Sequence, residues 1–302
     1  MLKARPHAAT SFAEALNRVR AFQALDDESI LPAARTSVLE CGTRTPIAVV
    51  LLHGLTNHPG QFAQFAPLVF GRGHNVFVPR MPEHGDRDRM TTRLRALTAE
   101  SLLDSATEAV DIACGLGERV CVMGISTSGL LCAYFAQYRA DVARAIPVNP
   151  VFAVLQTSHA LSFMLEKIVL AFPNVFLWWD PRVKGKQRPA TAYPRFPTHA
   201  LMQCLRIGDD VYAQSKRTPM ASGSAYVVTS ASDPAVSNVV TAEVVRSWAS
   251  ARPNVVETFE FSGLPPNHDV IDPDNPYARI EVVYPTLLQA IDATPATSLM
   301  RP

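Results

Sequence analysis

The sequence predicts an α/β protein whose central sheet is mostly parallel and is flanked by helices. Runs rich in Val, Ile and Ala alternate along the chain with longer segments of helical periodicity, a pattern typical of parallel sheets with crossover helices. The strand at residues 46–54 is continuously apolar, as expected when both faces of a strand are buried. With 48% hydrophobic and 18% charged residues among 302, the chain can bury a large core.

Strands and helices alternate regularly in the first half of the chain. The predicted strands cover, in order, residues 46–54, 74–82, 118–124 and 143–149. The predicted helices between them cover residues 60–73, 99–117 and 127–139. Gly71 or Gly73 can end the first helix. Thr98 can cap the second, because its hydroxyl can accept a hydrogen bond from a first-turn N–H group.

Residues 151–222 break this alternation and are predicted to form an inserted helical cap. They hold no clear buried strand, but they contain an apolar segment at 161–179, a basic loop and a second helical run. The apolar segment carries Glu166, Lys167 and a proline, so it lacks the unbroken stretch of about 20 apolar residues that a membrane span needs. We therefore expect no membrane-spanning segment.

The alternation resumes after the cap. The predicted elements are strand 224–234, helix 238–251, strand 255–261 and a final helix interrupted by Pro285. The predicted α/β core is accordingly divided into residues 35–150 and 223–302. An N-terminal helical extension, residues 1–34, precedes it.

Charge and cysteine usage exclude several classes of protein. The 28 basic and 27 acidic side chains nearly cancel, so we expect no nucleic-acid partner. The N-terminus lacks a signal-peptide pattern, which predicts a cytoplasmic protein. The five cysteines show neither a C-x-x-C pair nor a zinc-like spacing, so reduced thiols are expected at Cys41, Cys114, Cys121, Cys132 and Cys204.

The segment from Gly124 to Gly129, "GISTSG", lies where a predicted strand gives way to a helix. A hydroxyl there can simply cap the helix. It can also be a nucleophile on a tight, strained turn, and small residues must then stand two positions before and after it. Gly124 and Ser128 satisfy this spacing around Ser126, although Ser128 occupies a position where glycine is usual.

A serine nucleophile needs a base and a carboxylate that orients the base, and both are expected on loops later in the chain. Asp233 follows a predicted strand directly, and His268 follows the next strand after a proline-rich loop. Taken singly, each is most simply a loop residue. In this order and these places they predict a triad of Ser126, Asp233 and His268.

Attack on a carbonyl also needs fixed N–H donors for the developing negative charge. The backbone N–H of Thr127, at the start of the helix, is one candidate. The loop after the first core strand supplies the other, Leu55. His53 and Gly54 precede it and are expected to support this loop, with His53 structural rather than a second base.

Five segments together, "LLHGLT", "PRMPEHGDR", "GISTSG", "SASDPAV" and "NHDVID", resemble the α/β-hydrolase superfamily. The resemblance covers residues 35–293 and is strongest to carboxylesterases, monoglyceride-lipase-like and serine-aminopeptidase-like enzymes. It implies the α/β-hydrolase fold, a helical cap inserted after the sixth strand, and a triad at the three residues already identified. The serine at position 128 departs from the family pattern.

The expected activity is hydrolysis of a small carboxylic ester, of short to medium acyl chain or monoacylglycerol-like, through an acyl-enzyme. Amide or peptide hydrolysis and a non-catalytic binding role are the alternatives. The sequence is compatible with either a monomer or a homodimer. No cofactor or metal is expected, and Asp272 and Asp274 are interpreted as solvated loop carboxylates. The acyl chain is predicted to contact apolar cap residues: Phe163, Phe172, Phe176, Trp178 and Trp179.

Overall fold

The computed structural model describes residues 2–295. Its strands are β1 (Ser37–Leu39), β2 (Thr45–Leu52), β3 (Asn75–Val78), β4 (Gly117–Ile125), β5 (Val142–Val148), β6 (Phe176–Trp178), β7 (Arg195–Pro197), β8 (Ser224–Ser230) and β9 (Val256–Phe261). Its α-helices are α1 (Phe12–Gln23), α2 (Phe65–Phe70), α3 (Ala99–Leu116), α4 (Thr127–Tyr138), α5 (His159–Ala171), α6 (Thr198–Ser215), α7 (Asn238–Ala251) and α8 (Ile280–Asp292). Short 3-10 turns lie at Pro32–Ala34, Pro59–Phe62, Arg93–Ala96 and Lys184–Lys186.

Seven strands form one sheet in the order β1-β3-β2-β4-β5-β8-β9. Only β1 runs antiparallel to its neighbour; the other pairs are parallel. The carboxyl ends of β2, β4, β5, β8 and β9 therefore meet at one edge of the sheet, where ligands bind in open α/β sheets. This confirms the predicted α/β fold class.

The core lies on both faces of this sheet. Along β2, Ala48, Val50 and Leu52 pack into one buried cluster, and the residues between them pack into the other. This division follows from the two-residue period of a strand. It explains why the central strands are apolar at nearly every position.

The N-terminal segment adds a helix to one face of the sheet. The Nε and one terminal nitrogen of Arg18 in α1 donate to the carboxylate of Glu108 in α3, at 2.8 and 2.6 Å. Gly115 in α3 lies so close to α1 that an added Cβ would come within 2.6 Å of the Ser11 carbonyl oxygen. The glycine thus permits the close approach of the two helices.

Several predicted boundaries need correction. The helix expected at 60–73 is a 3-10 turn followed by the shorter α2. Pro67 lacks an N–H and is accommodated most easily in the first turn of a helix, which is where α2 places it. The final helix α8 runs continuously through Pro285. The predicted N-cap of α3 at Thr98 is confirmed, and the Ser101 side chain completes a capping box that was not predicted.

The segment between β5 and β8 also differs from expectation in two respects. It contains β6 and β7, which form a short antiparallel pair between α5 and α6. It follows the fifth strand of the chain rather than the sixth: the regular elements of residues 2–34 are α1 and a 3-10 turn, and the first strand is β1. Within residues 2–295, no helix is both long and apolar enough to cross a bilayer.

Gly117→Ala is predicted to destabilise the fold. A Cβ at Gly117 would lie 2.4 Å from the Ala48 nitrogen and 2.7 Å from its Cβ, so β2 and β4 would have to separate. Such overpacking costs about 1–3 kcal/mol, or roughly 2–10 °C in Tm. Thermal unfolding followed by circular dichroism measures the change. Gly185→Ala, where nothing lies within 4 Å of the new Cβ, is the control, and an equal effect of the two substitutions would contradict the prediction.

Candidate active site

Ser126 occupies the tight turn between β4 and α4. Its backbone has φ 62° and ψ −119°, a conformation that non-glycine residues rarely adopt and that costs about 1–3 kcal/mol. The turn is held because the Ser126 N–H donates to the Val148 carbonyl at 2.9 Å and α4 is buried along nearly its whole length. The turn places the Ser126 side chain at the carboxyl edge of the sheet, between the end of β4 and the start of α4.

The turn leaves no room for a side chain at position 124. A Cβ on Gly124 would come within 2.7 Å of the Ser128 carbonyl oxygen and 3.0 Å of the Ser128 Cβ. Gly54 approaches from the loop after β2, where an added Cβ would lie 3.6 Å from the Ser126 Cβ. Glycine is therefore required at position 124, two residues before Ser126, whereas a Cβ on Gly54 would make only ordinary van der Waals contacts.

Ser128 is buried, and its hydroxyl donates a hydrogen bond to the His53 carbonyl oxygen. The extra atoms that distinguish serine from glycine thus have a partner in the loop after β2. The departure from the family pattern adds a connection between the first turn of α4 and the loop after β2.

His268 and Asp233 are brought together from separate loops. The Nδ1 of His268 lies 2.6 Å from Oδ2 of Asp233, whose side chain is fully buried. The other carboxylate oxygen of Asp233 accepts from the Ala235 N–H at 2.8 Å. Asn149 donates to the His268 carbonyl at 3.1 Å. Both members of the pair are therefore fixed in orientation.

The charge of Asp233 determines the protonation behaviour of His268. Burial alone lowers the pKa of His268, but the hydrogen bond and charge of Asp233, with the nearby Asp269, raise it above its usual value. Because Asp233 occupies Nδ1, the other ring nitrogen, Nε2, is the one free to exchange a proton with a reacting group.

The loop after β2 meets the start of α4. The Leu55 N–H donates to the Thr127 hydroxyl at 3.0 Å, and the Thr127 N–H is one of the four amides at the N-terminus of α4 that have no partner within the helix. The two amides predicted as oxyanion donors thus lie on neighbouring segments beside Ser126.

His53 is held by the backbone through both ring nitrogens. Its Nδ1 lies 3.0 Å from the Gly54 carbonyl oxygen, and its Nε2 accepts from the Met81 N–H at 3.0 Å. Burial, followed by the nearby His84, lowers the pKa of His53 well below its usual value. His53 is therefore neutral, and its ring connects the loop after β2 to the backbone at Met81. Its supporting role stays a prediction.

Of the cap residues predicted to contact substrate, Trp179 reaches the loop after β2. Its Nε1–H donates to the Thr56 hydroxyl at 2.9 Å, and its ring packs on Phe196 with centroids 4.0 Å apart. The other four predicted residues make no such contact: Phe163 and Phe172 are exposed, Phe176 packs against the guanidinium groups of two arginines, and Trp178 is half-buried in β6. Their contact with substrate stays a prediction.

The interpretation of Asp272 as a solvated carboxylate is wrong, whereas Asp274 is exposed as expected. Asp272 is 4% exposed and accepts a hydrogen bond from Asn57 at 2.9 Å. Burial, reinforced by the charge of Asp269, raises its pKa to about 7. The sequence offered little sign of this, because Asn57 is more than 200 positions away.

Comparison with known proteins is consistent with this geometry. A thermostable monoacylglycerol lipase of Bacillus sp. (strain H-257) is 27% identical over 168 residues, which are 54% of this chain and 62% of the relative. The matched region thus spans less than two thirds of that relative.

Solved structures share the fold at low sequence identity. The monoacylglycerol lipase of Paleococcus ferrophilus superimposes with a TM-score of 0.64 at 16% identity, covering 85% of this chain and 98% of that one. A soluble variant of the monoglyceride lipase of Saccharomyces cerevisiae gives 0.67 at 11% identity, covering 87% and 92%. The shared architecture is the α/β-hydrolase fold.

The family assignment rests on most of the chain. A model of the alpha/beta hydrolase family matches residues 49–289, a range that begins in β2 and ends in α8. Together with the strained serine turn and the parallel sheet, this match shows that the chain belongs to the alpha/beta hydrolase family.

Proposed function

We propose that this protein hydrolyses carboxylic esters, with Ser126 as nucleophile, His268 as general base and acid, and Asp233 as the residue that orients the histidine. The observation that carries the proposal is the hydrogen bond from His268 Nδ1 to the buried Asp233 carboxylate, at the sheet edge where Ser126 stands on a strained turn. The similarity to a monoacylglycerol lipase supports the same reaction.

The reaction proceeds in two steps. In the first, Ser126 Oγ attacks the ester carbonyl while His268 Nε2 takes the hydroxyl proton; the tetrahedral intermediate then expels the alcohol, which receives that proton. In the second, water attacks the acyl-serine, and His268 again takes a proton and returns it to Ser126. The Asp233 carboxylate stabilises the imidazolium. The carboxylic acid is released and the enzyme is regenerated.

The amides of Leu55 and Thr127 stabilise the oxyanion in both steps. In the structure, the Leu55 N–H is bonded to the Thr127 hydroxyl. The substrate oxygen must therefore replace that hydroxyl as the acceptor. A hydrogen bond to a negatively charged oxygen is stronger than one to a neutral hydroxyl. The hydrogen bond from the Leu55 N–H is therefore strongest in the transition state, where it lowers the activation barrier.

The substrate class we propose is an ester of short to medium acyl chain or a monoacylglycerol-like ester. The relative named as a monoacylglycerol lipase favours this class, and Trp179 offers an apolar surface next to Thr56, one residue from Leu55. We propose that the acyl chain lies along Trp179, with the more distant predicted cap residues extending the apolar surface.

Amide or peptide hydrolysis is less well supported. Recognition of a substrate amine needs an unpaired carboxylate near the nucleophile. Asp210 is bonded to Tyr138 at the far end of α4, which at 1.5 Å per residue is about 17 Å from the start of that helix. The other candidate carboxylates also have partners: Asp180 is paired with Arg182, Glu166 with Lys167, and one oxygen of Asp209 lies 3.0 Å from His159 Nε2. A purely binding role is disfavoured because all three triad residues are retained.

Ser126→Ala is predicted to abolish catalysis without unfolding the protein. The variant should lose covalent labelling by a fluorophosphonate probe and lower kcat for p-nitrophenyl esters by about 10⁴-fold or more. Ser250→Ala, at an exposed position of α7, is the control and should label like the wild type. Labelling of folded Ser126→Ala at the wild-type rate would contradict the assignment of the nucleophile.

The pH dependence of kcat/KM should report the state of His268. The base must be neutral, so kcat/KM rises as pH increases through the pKa of His268. Because Asp233 and Asp269 raise that pKa, the midpoint of the rise is expected above pH 6.5, the ordinary value for histidine. In Asp233→Asn the midpoint should move to lower pH, together with a large loss of kcat. A midpoint unchanged by this substitution would argue against the pair.

Trp179→Ala should weaken the use of longer acyl chains. Removal of the indole takes away apolar contact with the acyl chain, so KM should rise more for p-nitrophenyl octanoate than for p-nitrophenyl acetate. The ratio of the octanoate KM to the acetate KM should increase by about 5- to 50-fold. Trp179→Phe keeps an apolar ring but removes the hydrogen bond to Thr56, and it should keep most of the preference. An equal effect of Trp179→Ala on both esters would exclude Trp179 from the acyl site.

A further inference from the structure

Asp269, the residue that directly follows His268, is tied to the loop after β2. Its Oδ2 accepts from the side-chain amide of Gln61 at 2.8 Å and from that of Asn57 at 3.2 Å. Its Oδ1 accepts from the backbone amides of Ile271 and Asp272, both at 3.1 Å. Both carboxylate oxygens are thus occupied by neutral donors.

Gln61 forms the connection on the other side. Its side chain is 2% exposed, and its Oε1 accepts from the Gly54 N–H at 2.9 Å. Gly54 immediately precedes Leu55, the proposed oxyanion donor. One buried amide group therefore links the peptide next to Leu55 with the carboxylate next to His268.

Strand pairing alone does not set the distance between these two loops. β2 and β9 are four positions apart in the sheet, which at about 4.8 Å per strand is roughly 19 Å. The loop after β9 must cross this distance to bring His268 toward Ser126. Its position relative to the loop after β2 depends on contacts between the loops themselves.

We propose that Gln61 and Asp269 are positioning residues that hold the Leu55 amide and the His268 imidazole at the relative positions that catalysis requires. This inference rests on the proposed function. Neither side chain is assigned a contact with substrate. Their role is to keep the oxyanion donor and the general base at a fixed separation, and misplacement by about 1 Å in such a constellation can cost about 100-fold in rate.

The direction of each hydrogen bond makes the link specific. Gln61 must accept from Gly54 through its oxygen and donate to Asp269 through its nitrogen. Gln61→Glu keeps the acceptor but sets one carboxylate against another. Every present partner of the Asp269 carboxylate is an N–H donor. In Asp269→Asn the new side-chain NH2 group must therefore face at least one of these donors, and that hydrogen bond is lost.

Combining the two changes restores the link with the donor and acceptor exchanged. One oxygen of the new glutamate at position 61 accepts from Gly54, and the other accepts from the amide of the new asparagine at 269. The net charge equals that of the wild type. Asn57 keeps its second acceptor, Asp272, at 2.9 Å.

The test compares both single variants and the double variant in steady-state hydrolysis of p-nitrophenyl butyrate. Each single change should lower kcat by about 10- to 100-fold and change KM by less than about threefold. The kcat of the double variant should be at least about tenfold higher than that of the single variant with the lower kcat. Gln64→Glu and Asp274→Asn make the same chemical changes at neighbouring exposed positions and should leave kcat unchanged. Thermal unfolding establishes that each variant is folded.

A second readout separates positioning from a loss of stability. Asp269 also contributes to the raised pKa of His268, so an NMR titration of the His268 ring should give a lower pKa in Asp269→Asn and an unchanged one in Asp274→Asn. If Gln61→Glu fails to fold, Gln61→Met removes both hydrogen bonds without adding charge and should show the same loss of kcat.

The outcomes distinguish this inference from the proposed function. Wild-type protein that neither labels with a fluorophosphonate nor hydrolyses esters would overturn the proposed function itself. An active wild type with folded single variants of unchanged kcat would overturn the positioning role alone. A folded double variant that remains as impaired as the weaker single variant would overturn it as well.

Discussion

The left-handed backbone conformation of Ser126 is the constraint on which the rest of the site depends. A serine at φ 62° is unfavourable by itself, so the surrounding structure must hold it there. The hydrogen bond to Val148, the burial of α4 and the absence of a side chain at Gly124 supply that support. Substitutions that relax the turn would stabilise the backbone locally while moving the hydroxyl out of place.

The other functional groups reach this turn by loops of different origin. Asp233 follows β8, its sheet neighbour β9 leads to His268, and Leu55 follows β2. Parallel strands bring these loops to one edge, but side-chain hydrogen bonds decide their final positions. Ser128 joins the turn to the loop after β2, and the polar contacts of Gln61 extend this connection to the loop that carries His268.

The sequence predicted the features that depend on local pattern and chain order. The sheet, the helix cap at Thr98 and the meeting of His268 with Asp233 all follow from periodicity, capping chemistry and order along the chain. Features that depend on distant partners were missed: Asp272 is buried, accepts a hydrogen bond from Asn57 and has its pKa raised by burial and by the charge of Asp269. Helix α5 shows the same difficulty, since it buries Ser162 and Glu166 while Leu161 and Ile168 are exposed; its composition does not reveal which face packs on the protein.

The central claim is that Ser126, His268 and Asp233 react as one unit with the two oxyanion donors, the amides of Leu55 and Thr127. A crystal structure of the protein inactivated by a phosphonate analogue of a monoacylglycerol tests it most directly. We predict a bond from phosphorus to Ser126 Oγ, with the phosphoryl oxygen about 2.7–3.1 Å from the backbone nitrogens of Leu55 and Thr127 and His268 still bonded to Asp233. Phosphorus on any other residue, or a phosphoryl oxygen directed away from both amides, would contradict the account.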